Sequence, residues 1–378
     1  MLRGQMVCTG VVRARYTCGI VEGFDVAIVG GGPAGACCAA FCARAGLRTL
    51  VLERERFPRE KVCGDCINPA AEPVFERLQI AERLRTLPHG KLQRIDFVAI
   101  GGRTVSVELP EGAEIAVKRS LFDHLLVTRA AELGAIVSEE TTVTAITPPA
   151  GSSQHWRITA GRVNHAARIL VAADGRNSTV ARLLGLLPKF QHERIGLQAH
   201  VPLPTDFGER VVLQFRREGY SGQAPIGNAE LNLCLVSNAA GIKSLRAWSE
   251  KEFKLSREQT WRTITPLRRT ALRPAQNRLF LVGDAARVVE PFTGEGIFYA
   301  LRSGEIAAAS IATLVNGADA LATAQTYAAA HEQLYRGRLW VNRLARTAVL
   351  SPRITSALLR TSLLPRSLLR VLTAKIVS

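Results

Sequence analysis

The residues best suited to chemistry form a glycine-rich turn, followed further along the chain by an acidic residue. In a G-x-G-x-x-G turn, the first glycine permits a tight turn, the second lets the backbone approach a pyrophosphate, and the third lets a helix pack closely on a sheet. An acidic residue after the next strand accepts hydrogen bonds from a ribose diol. This spacing predicts a dinucleotide site. Its candidate residues are Gly30, Gly32, Pro33, Ala34, Gly35, Glu53 and the neighbouring Arg54.

The elements that must position this turn are a strand, a helix and a second strand. Residues 26–29 form an apolar run the length of one buried strand, and small residues continue as a helix to Gly46. Residues 49–52 form a second apolar strand that ends at Glu53. The free N–H groups and the positive dipole end of the helix attract phosphate charges. A glycine turn alone could serve packing, whereas the complete strand–turn–helix–strand–acid unit indicates a bound dinucleotide.

The composition is that of an ordered protein whose charge is unevenly distributed. The 378 residues are 47% hydrophobic and 21% charged, which allows one large domain or two. The net charge is +17, and residues 333–378 carry nine Lys or Arg and no Asp or Glu. We find no nucleic-acid-binding motif and expect no nucleic-acid partner. Leucines alternate with basic residues over 344–377, which predicts two short amphipathic helices, broken at Pro365, on an anionic membrane; leucines packed on the rest of the protein would fit equally well.

The cysteines predict a reducing environment and no metal site. Three of the eight lie on the first helix, where they serve as small apolar side chains. Cys63 and Cys66 form a C-x-x-C pair without a second pair at zinc-ligand spacing, and the histidines show no metal-binding spacing. We therefore expect a cytoplasmic protein, peripheral at the inner face of the membrane if its basic end binds lipid. Residues 1–23 are predicted to be a loose extension, with Met6 as a second candidate start.

Two further apolar strands run into polar turns: residues 168–173 precede Asp174 and Gly175, and residues 278–282 precede Gly283 and Asp284. Alternating apolar and polar residues between these strands predict antiparallel sheet. We therefore predict an α/β protein with a Rossmann-like nucleotide domain interleaved with an antiparallel-sheet substrate domain. The nucleotide domain comprises residues 24–90, 112–185 and 270–320, the substrate domain 91–111 and 186–269, and a basic helical region 321–378.

The glycine turn, Asp174-Gly175 and Gly283-Asp284 together resemble the FAD-dependent oxidoreductases of the para-hydroxybenzoate hydroxylase-like fold, whose FAD-binding domain is of the GR2 type. Within that superfamily the chain resembles the geranylgeranyl reductase family. The motifs that carry this resemblance are Phe57-Pro58-Arg59-x-Lys61-x-Cys63-Gly64, Lys118-Arg119-x-x-Phe122-Asp123, Gly219-Tyr220-x-Gly222 and Pro291-Phe292-x-Gly294-Glu295-Gly296-Ile297.

The resemblance implies a role for each motif. Asp284 would bind the ribityl chain, and the backbone from Gly294 through Gly296 and Ile297 would lie along the isoalloxazine ring. Asp174 and Gly175 would contact FAD and a passing nicotinamide, and Arg119 would lie near the flavin and the pyrophosphate. Cys63 and Gly64 would form a loop over the flavin, close to a substrate contacted by Tyr220 and Gly222. Plainer roles stay open: Asp174 as a turn cap, Asp284 as an N-cap, and Cys63 as an inert buried thiol.

The expected activity is reduction of carbon–carbon double bonds in an isoprenoid or other lipid-like substrate, with electrons from NAD(P)H or a reduced ferredoxin. The alternative is an FAD-dependent monooxygenase, a hydroxylase or epoxidase, acting on an apolar or aromatic substrate. A halogenase is less favoured, because residues 261–266 do not match the W-x-W-x-I-P motif, and a non-enzymatic flavin-bound protein is the third interpretation. Seven apolar residues are expected to line a substrate cavity or to be ordinary core: Leu213, Phe215, Tyr220, Ile226, Leu231, Leu233 and Leu235.

Overall fold

The strands of the chain come from widely separated segments. The computed structural model describes residues 20–109, 114–150, 154–188, 194–265, 267, 269–289 and 294–361. Within these ranges the strands are β1 (Ile20–Val29), β2 (Thr49–Leu52), β3 (Cys66–Ile67), β4 (Gly90–Leu92), β5 (Arg94–Val98), β6 (Thr104–Glu108), β7 (Glu114–Ala116), β8 (Ile136–Ser138), β9 (Val143–Thr147), β10 (Trp156–Ala160), β11 (Val163–Ala172), β12 (Ile195–Pro202), β13 (Arg210–Phe215), β14 (Gly219–Pro225), β15 (Glu230–Ser237), β16 (Arg262–Ile264), β17 (Ala275–Gln276) and β18 (Leu279–Leu281).

The helices connect these strands and form the end of the described chain. They are α1 (Pro33–Arg44), α2 (Glu72–Leu78), α3 (Ala81–Thr86), α4 (Arg119–Glu132), α5 (Thr179–Leu183), α6 (Ile242–Glu252), α7 (Gly296–Val315), α8 (Ala320–Tyr335), α9 (Leu339–Leu350) and α10 (Pro352–Thr361), with single 3₁₀ turns at Pro69–Ala71 and Gly283–Ala285. No helix in the described part of the chain is long and apolar enough to cross a membrane.

The larger sheet has the order β17-β18-β11-β1-β2-β8, with the hairpin strands β9 and β10 attached to β11. β18, β11, β1, β2 and β8 pair in parallel, so their carboxyl ends meet at one edge. Side chains of β1 alternate between two apolar clusters, with Val26 and Ile28 facing α1 and Ala27 and Val29 facing the other layer. Burial on both faces explains the continuous apolar runs in these strands.

Helices α1 and α7 pack against each other more closely than ordinary side chains allow. A Cβ atom at Gly304 would overlap the carbonyl oxygen of Ala34. The thiol of Cys37 donates a hydrogen bond to the carbonyl oxygen of Leu301 at 3.2 Å. The cysteines and alanines of α1 therefore serve this close contact, which holds the start of the chain to a helix near its other end.

The second sheet has the order β16-β12-β15-β14-β13-β5-β6 and is antiparallel except for the β5–β13 pair. A third, small sheet has the order β3-β7-β4. Its strands all come from the segment of chain between residue 63 and the start of α4. One face of the second sheet packs on α6, and this face carries Leu231, Leu233 and Leu235. These three leucines are ordinary core, the second of the two roles left open for them by the sequence.

Two local predictions differ from the structure. The pattern of residues 73–87 predicts one helix, but the segment forms two, because Gln79 adopts a left-handed conformation (φ 57°) and Ile80 is buried between them. The C-terminal region is also broken at Pro352, which begins α10 where a missing N–H costs nothing. Pro365 and the leucines beyond residue 361 lie outside the described residues, as do residues 1–19. Strand β1 begins at Ile20, inside the segment predicted to be an extension.

Candidate active site

The glycine turn lies at the carboxyl end of β1 and begins α1. Gly30 has φ +102°, and a Cβ atom there would lie 2.6 Å from the carbonyl oxygen of Ala173 at the end of β11. A Cβ at Gly35 would overlap the carbonyl oxygen of Gly30, so α1 can reach the sheet only with glycine there. Gly32 is the N-cap of α1, and Pro33 follows it inside the first turn. The turn thus points backbone N–H groups and the positive helix end outward.

Two arginines converge on this turn from elsewhere in the chain. A Cβ at Gly32 would lie 3.6 Å from Nη2 of Arg59 and 3.9 Å from Nη2 of Arg119. Both guanidinium groups bind the buried carboxylate of Asp123: Nη1 of Arg59 at 2.9 Å, and Nε and Nη2 of Arg119 at 2.7 and 2.8 Å. Both guanidinium groups thus present positive charge to Gly32, partly offset by Asp123 and by Glu53, which lies 3.6 Å from Arg59. That charge fits a diphosphate.

Lys61 adds to this positive charge. Its pKa is lowered to about 8, first by burial and then by the guanidinium groups of Arg119 and Arg59. The charged form of a buried lysine close to arginines is destabilised unless an anion lies nearby. Two phosphate groups bound at the turn would remove that penalty.

Glu53 lies within the site, whereas Arg54 lies outside it. Oε2 of Glu53 accepts the N–H of Gly31 at 2.7 Å, and Oε1 accepts the N–H of Glu55 at 3.1 Å. The carboxylate is 5% exposed and lies 3.6 Å from Arg59, so it is rigidly held with lone pairs left for a ribose. Arg54 instead pairs with Glu55 at the surface, at 3.4 Å, and its assignment to the cofactor stays a prediction.

The other two strand-end motifs lie at the same edge of the sheet. Oδ2 of Asp174 accepts the N–H of Val180 at 3.0 Å, in the first turn of α5, whose N-cap is Ser178; burial raises the pKa of the Asp174 carboxyl group. Asp284 sits on the 3₁₀ turn that Gly283 begins, and its carboxylate pairs with Arg176 at 3.0 Å. Roles of Asp174, Gly175 (φ +81°), Gly283 and Asp284 toward a cofactor stay predictions.

The start of α7 carries a buried, hydrogen-bonded carboxylate, Glu295, to which the sequence analysis gave no role. Gly294 has φ +69°, Glu295 is the N-cap, Gly296 is the first helical residue and Ile297 is buried. The carboxylate of Glu295 is 1% exposed and accepts hydrogen bonds from three side chains. These donors are the hydroxyl of Tyr299 at 3.0 Å, Nη1 of Arg338 at 3.1 Å and Nδ2 of Asn342 at 3.0 Å.

The Cys63–Gly64 loop is anchored to the second sheet through its backbone. The carbonyl oxygen of Cys63 accepts three hydrogen bonds. The donors are Nε2 of Gln198 at 3.0 Å, Nδ2 of Asn232 at 2.9 Å and the thiol of Cys234 at 3.3 Å. Burial raises the pKa of the Cys63 thiol, and nearby Arg119 acts in the opposite direction. The thiol is therefore protonated at neutral pH.

The residue after this loop, Asp65, is fully buried. Its Oδ2 lies 3.1 Å from Nε2 of His200, and burial raises the pKa of its carboxyl group. The strand pairing aligns Gln198, Cys234 and Gly222 across β12, β15 and β14, so the predicted substrate residue Gly222 faces the same side as the loop anchors. Tyr220 is buried on that face in a cluster with Phe215, Val349 and Leu359.

A family model decides what binds at the glycine turn. The model described as "FAD binding domain" matches residues 23–228 and 236–337, which include every strand-end motif of the larger sheet. The chain belongs to the FAD-binding-domain family. It is an FAD-dependent oxidoreductase, and the resemblance to the geranylgeranyl reductase family is confirmed. The fold class, a GR2-type FAD-binding domain with parallel and antiparallel sheets, is also confirmed.

Relatives of this FAD-binding chain include named reductases. A menaquinone reductase from Mycolicibacterium smegmatis is 31% identical over 316 residues, 75% of each chain. A geranylgeranyl diphosphate reductase from Rhodobacter capsulatus is 30% identical over 315 residues, 78% of this chain and 76% of the relative. Among solved structures, a flavin-dependent brominase superposes with a TM-score of 0.75 at 22% identity, covering 94% of each chain. At that identity the brominase shares the fold.

The geometry fits FAD at several independent positions. Gly32 leaves backbone open to the diphosphate, Arg59, Lys61 and Arg119 supply the opposing charge, and Glu53 is fixed for the ribose. Arg59, Lys61 and Asp123 stand within the motifs quoted from the sequence, yet their joint electrostatic role was missed. Gln198 and Asn232 had no sequence signal, because they reach the Cys63 loop from strands more than a hundred residues away.

Proposed function

We propose that the protein reduces carbon–carbon double bonds of an isoprenoid or similar lipid-like substrate. FAD, once reduced by two electrons from the donor, would supply a hydride to one carbon of the double bond and be reoxidised, and a proton would complete the other carbon. The names of the reductases that the chain resembles support this class of reaction. The electrons would come from NAD(P)H or from a reduced ferredoxin.

The observation that carries the proposal is the attachment of the Cys63 loop. Its carbonyl oxygen is held by donors from β12 and β15, and its thiol lies beside Arg119, which faces the phosphate turn. The loop thus spans from the FAD-binding residues to the polar face of the second sheet. A substrate on that face would meet Cys63, Gly64 and Gly222 together. Because the Cys63 thiol stays protonated, we assign it a contact role and no redox role.

The chain's own residues divide the remaining work. Arg59, Lys61 and Arg119 would hold the diphosphate, and Glu53 would orient the ribose. The amino end of α7 presents a positive dipole, which would stabilise negative charge on a ring bound there. The buried Asp65–His200 pair holds the Cys63–Gly64 loop on the second sheet. The apolar Tyr220 cluster excludes water from the sheet face that meets this loop.

A monooxygenase is the alternative, because oxygen-using flavoproteins share this fold, as the brominase structure illustrates. One experiment separates the two. The holoprotein is reduced without oxygen and mixed with an isoprenoid quinone or geranylgeranyl diphosphate, in the absence and presence of isotopically labelled dioxygen. We expect products that have gained hydrogen and carry no labelled oxygen. Labelled oxygen in the product would refute the reductase assignment.

The electron donor is tested separately by rapid mixing. Oxidised holoprotein is combined with NADH, NADPH or a reduced ferredoxin, and the loss of flavin absorbance is followed. Reduction by a nicotinamide alone would support direct hydride transfer to FAD. Reduction by ferredoxin alone would assign a one-electron protein donor.

A further inference from the structure

The C-terminal helices turn apolar side chains toward solvent. Trp340, Leu344 and Leu350 on α9 are 46, 45 and 47% exposed, and Ile354 on α10 is 64% exposed. Trp340 and Leu344 are four residues apart and therefore lie on one face of α9. A helix that only covers the protein would turn such residues inward. Burial against the protein does not explain them.

The opposite faces of the same helices are fixed to the protein. Val349 of α9 and Leu359 of α10 are buried in one cluster on the second sheet, so both helices lie on the same side of that sheet. On α10 the buried positions include two polar residues with partners. Thr355 donates to the carbonyl oxygen of Ala348 at 2.8 Å, and Ser356 accepts the N–H of Ile100 at 3.0 Å. The exposed orientation of Ile354 is therefore held by specific contacts.

The charge of this region is of one sign. Residues 333–361 contain six arginines and no acidic residue. Arg338 is bound to Glu295, whereas Arg343, Arg353 and Arg360 are exposed beside the apolar side chains. Trp with Leu, Ile and Arg on one helical surface is the combination that seats in the boundary between lipid headgroups and acyl chains.

We propose that Trp340, Arg343, Leu344, Leu350, Arg353 and Ile354 form a membrane-docking surface for bilayers that contain anionic lipid. If two copies of this surface faced each other, arginine side chains would lie against arginine side chains and repel. Anionic lipid headgroups carry the opposite charge and therefore complement the arginines. The helices lie on the sheet face that carries Tyr220, so docking would bring the predicted substrate side to the bilayer. Only this last step rests on the proposed function.

The test uses full-length holoprotein and sedimentation with vesicles of phosphatidylcholine, alone or mixed with phosphatidylglycerol. We expect binding only to the mixed vesicles, and weaker binding as salt is raised. The double variant Leu344→Glu/Ile354→Glu should lose about tenfold or more in vesicle affinity, because it removes apolar contact and adds repulsion. Leu321→Glu is the matched control, since Leu321 is 60% exposed near the start of α8, outside the surface. It should bind like the wild type.

A second measurement reports contact directly. Lipids brominated on their acyl chains should quench tryptophan fluorescence of the wild type much more than that of Trp340→Phe. Trp156 is buried in the larger sheet, and Trp248 and Trp261 are partly buried on the α6 side of the second sheet, away from α9 and α10. Equal quenching of the two proteins, or unchanged vesicle binding by the double glutamate variant, overturns the proposal. So does loss of binding on removing residues 362–378 alone, which would assign docking to that segment. A dimer that the double variant abolishes would assign the surface to a second copy.

FAD content shows that each variant is folded. Because vesicle binding is measured without substrate, docking can fail while double-bond reduction stays intact. Conversely, docking can hold in a protein that reduces no lipid.

Discussion

The two ends of the active site are built in different ways. The nucleotide end is formed mainly by the backbone. Gly30 and Gly35 let the turn and α1 approach the sheet closely, and Asp123 fixes two arginines beside the turn. The proposed substrate end is formed by side chains: Gln198 and Asn232 hold the Cys63 loop from separate strands. A backbone structure tolerates little change, whereas individual side chains can be exchanged on a fixed sheet. This difference explains how one FAD-binding frame can serve several substrates.

The sharpest test of this difference compares two glycine substitutions. Gly32→Val places a branched side chain between the turn and the arginines, so FAD affinity should fall about a hundredfold or more, roughly 2.7 kcal/mol. Gly222→Val adds bulk beside Leu213, whose Cδ2 is 3.6 Å from the new Cβ, and should keep FAD while changing turnover. FAD per chain after dialysis measures both. Full retention of FAD by Gly32→Val would show that the phosphate turn is misassigned.

Charge removal at the nucleotide end should have a smaller effect. Glu53→Gln keeps the shape of the side chain but loses its charge toward the ribose and Arg59. A hydrogen bond to a charged group contributes about 1.5–3 kcal/mol, so the dissociation constant for FAD should rise about ten- to a hundredfold. Titration of the apoprotein with FAD, followed by flavin fluorescence, measures it. An unchanged constant would mean that Glu53 serves only Gly31 and Glu55.

Lys61 should make FAD binding depend on pH. Its pKa is about 8 before the phosphates arrive, and their negative charge should raise it. Above pH 8, FAD binding is then coupled to uptake of a proton by Lys61. The affinity for FAD is therefore fully present below that pH and falls as the pH rises, by at most about tenfold per pH unit. Lys61→Gln should bind more weakly at pH 7 and show a flatter profile. Calorimetry in buffers of different ionisation enthalpy counts the protons, and no uptake at pH 9 would contradict this role.

The smallest expected effect is the difference in turnover between substitutions of the two loop cysteines, Cys63 and Cys66. Cys63→Ala removes a buried thiol beside Arg119 and should lower turnover severalfold or shift the flavin spectrum. Cys66→Ala removes a long contact from its thiol to the carbonyl oxygen of Gly64, at 3.5 Å, and should do less. FAD affinity should be near wild type in both. Equal and complete loss of activity would instead favour a catalytic dithiol.

The contrast between the ends also decides what the sequence could predict. The phosphate turn, Glu53 and the strand-end motifs are local patterns whose backbone requirements leave a signature, and the FAD-binding fold that they predict is confirmed. The organisation into domains and the individual site residues stay predictions. Alternation identified the strands of the second sheet but could not say which face would meet a substrate, so Leu231, Leu233 and Leu235 were grouped with residues of another cluster.

Long-range side-chain contacts left no signal in the sequence. The buried carboxylate of Glu295 depends on Arg338 and Asn342, which are supplied by a region predicted only to be basic and helical. Similarly, the left-handed Gln79 divides a segment whose apolar spacing suits one helix. In both cases tertiary packing decides the outcome, and local propensity does not report it.

The close contact between α1 and α7 has a consequence for biosynthesis. The phosphate turn leaves the ribosome early, but Gly304 and Leu301, which receive α1, are translated more than 260 residues later. β1 likewise waits for its partner β11. Such non-local pairings form slowly and leave apolar surface exposed in the meantime. Flavin capture should therefore be a late event that follows synthesis of α7, and the nascent chain should depend on chaperones until then.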